Sequence, residues 1–190
     1  MNQPILLLDN FDSFTYNLYH LLYTVSGVKP VVMRNDLPNP KVALEFETVV
    51  LSPGPGLPQE AGKLMEVIDL CWGKTKLLGV CLGHQAIAMH SGASLEQLNY
   101  VHHGISRKGK VLNSDSIFHS IENSFDAGSY HSWTVQKDSL NDSWNILSVD
   151  TQGEILAIEH KNLPITGIQF HPESVLTPQG GLIIENWLKH

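Results

Sequence analysis

The segment Gly79-Val80-Cys81-Leu82-Gly83-His84 constrains this chain more than any other. The apolar residues 77–80 lead into it as a buried strand, and residues 84–90 leave it as a helix closed by Gly92. A strand that turns this sharply into a helix belongs to a sheet covered by helices. The rest of the chain keeps the same alternation. Residues 5–8 are a short apolar run suited to a strand buried on both faces. Asn10, Asp12 and Ser13 then supply turn and N-cap chemistry, and Phe14, Leu18, Leu21, Leu22 and Val25 follow at helical spacing up to Gly27. Residues 30–33 and 48–51 read as further strands. Leu64, Val67, Ile68 and Cys71 form a helical stripe stopped at Gly73. Beyond residue 105 the pattern changes to short strands, near 109–112, 129–135, 146–149, 155–159 and 165–170, before a C-terminal helix around Ile183, Ile184 and Leu188. The expected architecture is an α/β fold: a mostly parallel central sheet with helices on both faces and antiparallel strands added at one edge. With 190 residues and no linker-like stretch, residues 1–190 are expected to form a single domain.

Composition narrows the function classes. Twelve Lys and Arg against nineteen Asp and Glu give a net charge of −7, which argues against general affinity for nucleic acid or anionic membranes. Arg107, Lys108 and Lys110 are the one basic cluster and read best as a solvated turn. The apolar runs fall far short of the ~20 residues of a membrane span, and no signal peptide is visible. Two cysteines make no disulfide scaffold, so free thiols in a reducing cytoplasm are expected.

The Gly-x-Cys-x-Gly pattern is that of a nucleophile elbow with Cys in the place of Ser. Its glycines allow a tight, strained turn that lifts the side chain clear of the sheet. A helix N-terminus favours an anion, so the Cys81 thiol should ionise more readily, and the Leu82 N–H points where an oxyanion would form. The competing reading is a buried cysteine in a glycine-rich turn. Cys71, on an apolar helix stripe without glycines, reads as core. A thiolate nucleophile also needs a base and an acceptor that orients it. Phe170-His171-Pro172-Glu173 offers both at the end of the last strand, because i and i+2 share a side of an extended segment. Alone, that segment reads as a strand-end His with a surface Glu. Its placement on the same rim as Cys81 favours the catalytic reading, since ligands of such sheets gather at the carboxyl ends of the strands. Ser52-Pro53-Gly54-Pro55-Gly56 is a stiff loop whose glycines let backbone approach a ligand, although a plain turn would look the same. Ten histidines invite a metal, but His84 and His90 do not share a helix face, and the adjacent His102 and His103 point apart in most backbones. No zinc or dinucleotide motif is present, and no metal site is expected. The residues alone lead to a cysteine-nucleophile acyl-transfer enzyme of unspecified substrate.

Six stretches together resemble a known family: residues 8–17 (Leu-Asp-Asn-Phe-Asp-Ser-Phe-Thr-Tyr-Asn), Arg34-Asn35-Asp36, residues 51–56, residues 79–85, Tyr130-His131-Ser132, and residues 169–174. In family order and across nearly the whole chain, they are similar to the class I, triad-type glutamine amidotransferases of flavodoxin-like fold. Within these they resemble the small subunits of anthranilate synthase and aminodeoxychorismate synthase. The resemblance implies a triad of Cys81, His171 and Glu173, with oxyanion N–H groups from Gly56 and Leu82. It implies glutamine contacts from Gln85, from the Ser132 and Trp133 backbone, and from Gly54 and Pro55. It also implies L-glutamine as substrate, no cofactor in this chain, and, as partner, a chorismate-using synthase subunit that would hold any Mg²⁺. Two departures stand out: His103-Gly104-Ile105-Ser106 lacks a lysine common in the family, and Trp133 stands where Leu is common. Trp133 and Val101-His102-His103-Gly104 resemble the anthranilate branch more closely. The aminodeoxychorismate branch, a subunit shared by both, and a stand-alone γ-glutamyl cysteine hydrolase are the alternatives.

Overall fold

Strand and helix alternate because apolar side chains with period two along the strands need cover on both sides of one sheet. The computed structural model describes residues 4–190. The first half comprises β1 (Ile5–Asp9), α1 (Thr15–Ser26), β2 (Val31–Arg34), β3 (Thr48–Leu51), α2 (Leu64–Cys71), β4 (Lys76–Val80) and α3 (Leu82–His90). The second half comprises β5 (Leu95–Gln97), β6 (Ile105–Val111), β7 (Ser124–Ser129), β8 (Trp133–Val135), β9 (Trp144–Asp150), β10 (Ile155–His160), β11 (Ile165–Ile168) and α4 (Gly180–Lys189).

Nine strands form one sheet in the order β2-β1-β3-β4-β11-β10-β9-β6-β7. The five strands from β2 to β11 are parallel, and the remaining pairings are antiparallel. The expected α/β sheet with antiparallel strands added at one edge is therefore the one present. Leu6, Leu8, Val49, Leu51 and Leu77 face α2 and α3, where Leu64, Val67, Ile68 and Ile87 close one core. Their neighbours Ile5, Leu7, Val50, Leu78 and Val80 face the other way, onto Leu18 and Leu22 of α1 and Ile183, Ile184 and Trp187 of α4. Burying a Leu or Ile side chain of this kind contributes about 1.5–3 kcal/mol. Among the described residues no helix is long and apolar enough to cross a membrane.

The second half departs from the sequence reading in four places. The strand expected over residues 129–135 is two strands: β7 ends at Ser129 on β6, and β8 begins at Trp133 on β5. The chain leaves the main sheet between them, and that crossing carries Tyr130-His131-Ser132 to the rim. The strand expected to reach Phe170 ends at Ile168, and Pro172 and Glu173 lie in a turn. The basic residues Arg107, Lys108 and Lys110 lie on β6 and not in a turn. β5 is three residues, Leu-Glu-Gln, with no β-branched side chain to announce it.

Candidate active site

The parallel strands deliver their carboxyl ends to one rim, and the residues just past those ends build the site. Past β4 stands Cys81, with φ +51° and ψ −102°, a backbone region that non-glycine residues rarely occupy. Such a residue costs about 1–3 kcal/mol and persists only where its surroundings hold it. The Cys81 N–H donates to the Ile168 carbonyl of β11 (2.8 Å), and its own carbonyl accepts the first bond of α3 from Gln85 N–H (3.0 Å). The two glycines act differently from the sequence expectation, since the strain sits on Cys81 itself. A Cβ on Gly79 would lie 2.4 Å from the Gly83 carbonyl, and one on Gly83 would lie 2.6 Å from the Leu51 carbonyl. They let the first turn of α3 lie directly on β4 and β3. Gly83→Ala is therefore expected to destabilise the fold by about 1–3 kcal/mol. At this chain length that is a fall in melting temperature of roughly 2–12 °C by calorimetry.

His171 follows β11. Its N–H donates to the Gly128 carbonyl (2.9 Å), and its carbonyl accepts from Thr177 Oγ1 (2.7 Å), so two strands and the following turn fix its backbone. Its Nδ1 donates to Glu173 Oε1 at 2.7 Å, with both side chains buried. The contact is the one expected, but it is made across a turn and not along an extended segment. Because a carboxylate only accepts, Nδ1 carries the proton and Nε2 is left for Cys81. Nε2 is buried without a hydrogen-bond partner among the described residues. Burial alone would lower the imidazole pKa. The neighbouring Cys81 and Glu173 outweigh it and raise it to about 10. Phe14 and Tyr130 close over the ring edge-on, at 5.8 and 4.8 Å between centroids. Cys71, by contrast, is fully buried between α2 and the sheet, and burial pushes its thiol up.

The Pro/Gly loop after β3 is held by buried polar residues. Asn10 N–H donates to Ser52 Oγ and Asn10 Nδ2 to the Ser52 carbonyl, both at 2.8 Å. Asn35 Nδ2 donates to Asn10 Oδ1 (2.9 Å), so the ends of β1, β2 and β3 are tied together. Gly54 packs against this knot, where a Cβ would lie 2.6 Å from Asn10 Cβ and 2.7 Å from Leu82 Cδ2. A cavity of about 140 Å³ opens beside Cys81, lined by Gly54, Pro55, Gly56, Gln85, Ser132 and Trp133 among others. Those six expected contact residues are thus brought together from three separate segments. Leu82 stands next to the sulfur as the first residue of α3, where its N–H has no acceptor within the helix. A wider opening of about 390 Å³, lined by Phe11, Asp12, His103, Tyr130 and His171, meets the same sulfur from the outside.

Behind Ser132 lies a buried charged network that sequence reading missed. Arg107 Nη1 donates to Asp150 (2.9 Å) and Glu154 (2.6 Å), and Nη2 donates to His131 Nε2 (3.4 Å). Three donor atoms of His102, His131 and Glu154 lie close enough to suggest a metal centre. The Arg107 guanidinium already supplies the positive charge in that space and occupies the lone pair of His131, so the group does not fit a metal. Burial lowers His131 to about 4, and Arg107 adds to that shift against the opposing contact with Glu154. Burial raises Glu154, but the His131 ring 3.7 Å away and the Arg107 guanidinium that donates to it outweigh burial and hold the carboxyl at about 2. Both groups bind fewer protons folded than unfolded on the acid side. Stability should fall as pH drops from 6.5 to about 4 through His131, and from 4.5 to about 2 through Glu154. Arg107→Met strands two buried carboxylates and is expected to cost about 3–5 kcal/mol in denaturant titrations at pH 7.

Asn10, Asn35 and Ser52 each come directly after a strand, and a polar residue at that position was the available signal. Arg107 gave no such signal, because its acidic partners are more than forty residues away.

The glutamine amidotransferase class-I family matches residues 6–190. Anthranilate synthase component 2 of Mycobacterium tuberculosis is 40% identical over 190 residues, covering 97% of this chain and 81% of that protein. Aminodeoxychorismate synthase component 2 of Escherichia coli is 39% identical over 186 residues, covering 97% of this chain and 98% of that protein. A Thermoplasma acidophilum protein, solved as a candidate GMP synthase component, superposes with a TM-score of 0.87 at 26% identity, covering 100% of this chain and 94% of that one.

Proposed function

The chain belongs to the class I glutamine amidotransferase family, and from that premise we propose that it is the glutaminase subunit of anthranilate synthase. The observation that carries the chemistry is the 2.7 Å His171–Glu173 pair beside Cys81 at a strained strand–helix turn. In this reading the Cys81 sulfur attacks the side-chain amide carbon of L-glutamine in the 140 Å³ cavity. The tetrahedral oxyanion is held by the N–H groups of Leu82 and Gly56. The C–N bond breaks, His171 gives its proton to the departing ammonia, and a glutamyl thioester remains on Cys81. Water then adds to the thioester, His171 takes its proton, and glutamate leaves as the sulfur is regenerated. The raised pKa of His171 supports both roles. While the sulfur is an anion, His171 holds the proton that the leaving group needs. Once acylation removes that charge, one of the two groups holding the proton is gone, and the ring is free to act as a base. Gln85, the Ser132 and Trp133 backbone, Gly54 and Pro55 bind and orient the substrate.

Ammonia released into neutral water is mostly ammonium and no longer nucleophilic. The product therefore passes directly to a chorismate-using synthase subunit, which also holds any Mg²⁺ that its chemistry needs. A reducing cytoplasm suits a free thiol nucleophile. The near-equal identity to the Escherichia coli protein favours one second reading, the glutaminase subunit of aminodeoxychorismate synthase. Both are tested by supplying chorismate, glutamine and Mg²⁺ to this chain with either synthase subunit of the same organism, ammonium replacing glutamine as the control. Glutamine-dependent anthranilate fluorescence establishes the first reading, and glutamine-dependent aminodeoxychorismate alone the second. Glutamine hydrolysis coupled to neither would move the assignment to a stand-alone hydrolase.

A further inference from the structure

Gln169 is fully buried at the end of β11, and its Nε2 stands 3.7 Å from Cys81 Sγ. Its Oε1 accepts from Gln85 Nε2 at 3.2 Å, and the same Gln85 Nε2 donates to the Trp133 carbonyl at 2.8 Å. A backbone carbonyl only accepts, so the far end of this chain has a fixed polarity. Gln85 must turn its NH₂ towards Trp133, and the second N–H of that group meets Gln169 Oε1. Gln169 is thereby left with N–H as the only group it can present to the sulfur. The usual ambiguity of amide orientation is removed by the network itself. Gln85 itself lines the 140 Å³ cavity.

We propose that Gln169 is the positioning residue of the nucleophile, holding the Cys81 sulfur in line with the cavity and stabilising it as an anion through a donated N–H whose direction is set from the Trp133 carbonyl by way of Gln85. The proposal rests on the glutaminase reading of Cys81. A hydrogen bond to a charged group favours the charged form, so losing this donor makes the thiolate rarer without touching His171 or Glu173. It also ties the cavity wall to the nucleophile, since a shift of Trp133 would release the amide that faces the sulfur.

The test is the rate of Cys81 alkylation by iodoacetamide as a function of pH, read peptide by peptide by mass spectrometry so that Cys71 is counted separately. Gln169→Met keeps the length and removes the donor. Its alkylation rate at pH 7 is expected to fall roughly tenfold and to converge with the wild-type rate at alkaline pH. In glutamine hydrolysis by the assembled complex, kcat should fall by a similar factor while KM changes less than threefold. Gln85→Met removes the anchor and leaves Gln169 free to turn, so a smaller fall in the same direction is expected. It carries the test if Gln169→Met does not fold by circular dichroism. An unchanged alkylation profile in the folded variant, or a uniform loss at every pH, would overturn the role of Gln169 while leaving the glutaminase reading intact. Full glutamine hydrolysis by Cys81→Ala would instead overturn the glutaminase reading itself.

Discussion

Cys81→Ala is expected to abolish glutamine-dependent synthesis by the complex, by roughly 10⁴-fold or more, while ammonium-driven synthesis continues at the wild-type rate. The first half follows from position. Cys81 meets both openings, and the strained turn presents its sulfur to the 140 Å³ cavity. Nothing nearby can replace it, because Cys71 is packed between α2 and the sheet. The second half follows from the proposed division of labour, since ammonium supplied from solution needs no glutaminase. A small side chain at position 81 also relaxes none of the packing of Gly79 and Gly83, so the variant should fold and bind its partner. Loss of both activities in an assembled complex would count against a role of Cys81 confined to glutamine hydrolysis. The two rates on one preparation decide the matter.

His171→Ala should cost nearly as much in glutamine turnover, several orders of magnitude in kcat, because members of a catalytic unit fail together. Its pH signature is separate. The folded imidazole titrates at about 10, above the ordinary value of 6.5. A raised pKa means that the folded state binds the extra proton, so this contribution to stability is complete below pH 6.5 and is lost as pH rises towards 10. Wild type should weaken across that window, and His171→Ala should show a flatter alkaline limb in denaturant titrations from pH 6 to 10. Turnover within tenfold of wild type would show that another group serves as acid and base.

The legibility of this chain tracks the distance over which its interactions act. The elbow was readable because strand, glycines, cysteine and helix are contiguous, and the α/β alternation because each element carries its own periodicity. The pairing of His171 with Glu173 was readable for the same reason, although the backbone that achieves it is a turn. Segments whose conformation is decided by remote partners were not readable. Residues 129–135 look like one strand until β7 pairs with β6 and β8 with β5. Arg107 looks like part of a solvated basic run until Asp150 and Glu154 arrive from the β9–β10 hairpin. The glycines of the elbow were found for one reason and retained for another: local spacing points to flexibility, whereas the packed structure uses the missing Cβ to seat α3 on β3 and β4.

The most direct test is to look for the covalent intermediate. The assembled complex would be mixed with carbon-labelled glutamine, quenched in acid during turnover, digested and examined by mass spectrometry. The expected result is a glutamyl group on the peptide that contains Cys81, removable by hydroxylamine and absent from Cys81→Ala. Glutamate production with no covalent label, or with label on Cys71, would contradict the account.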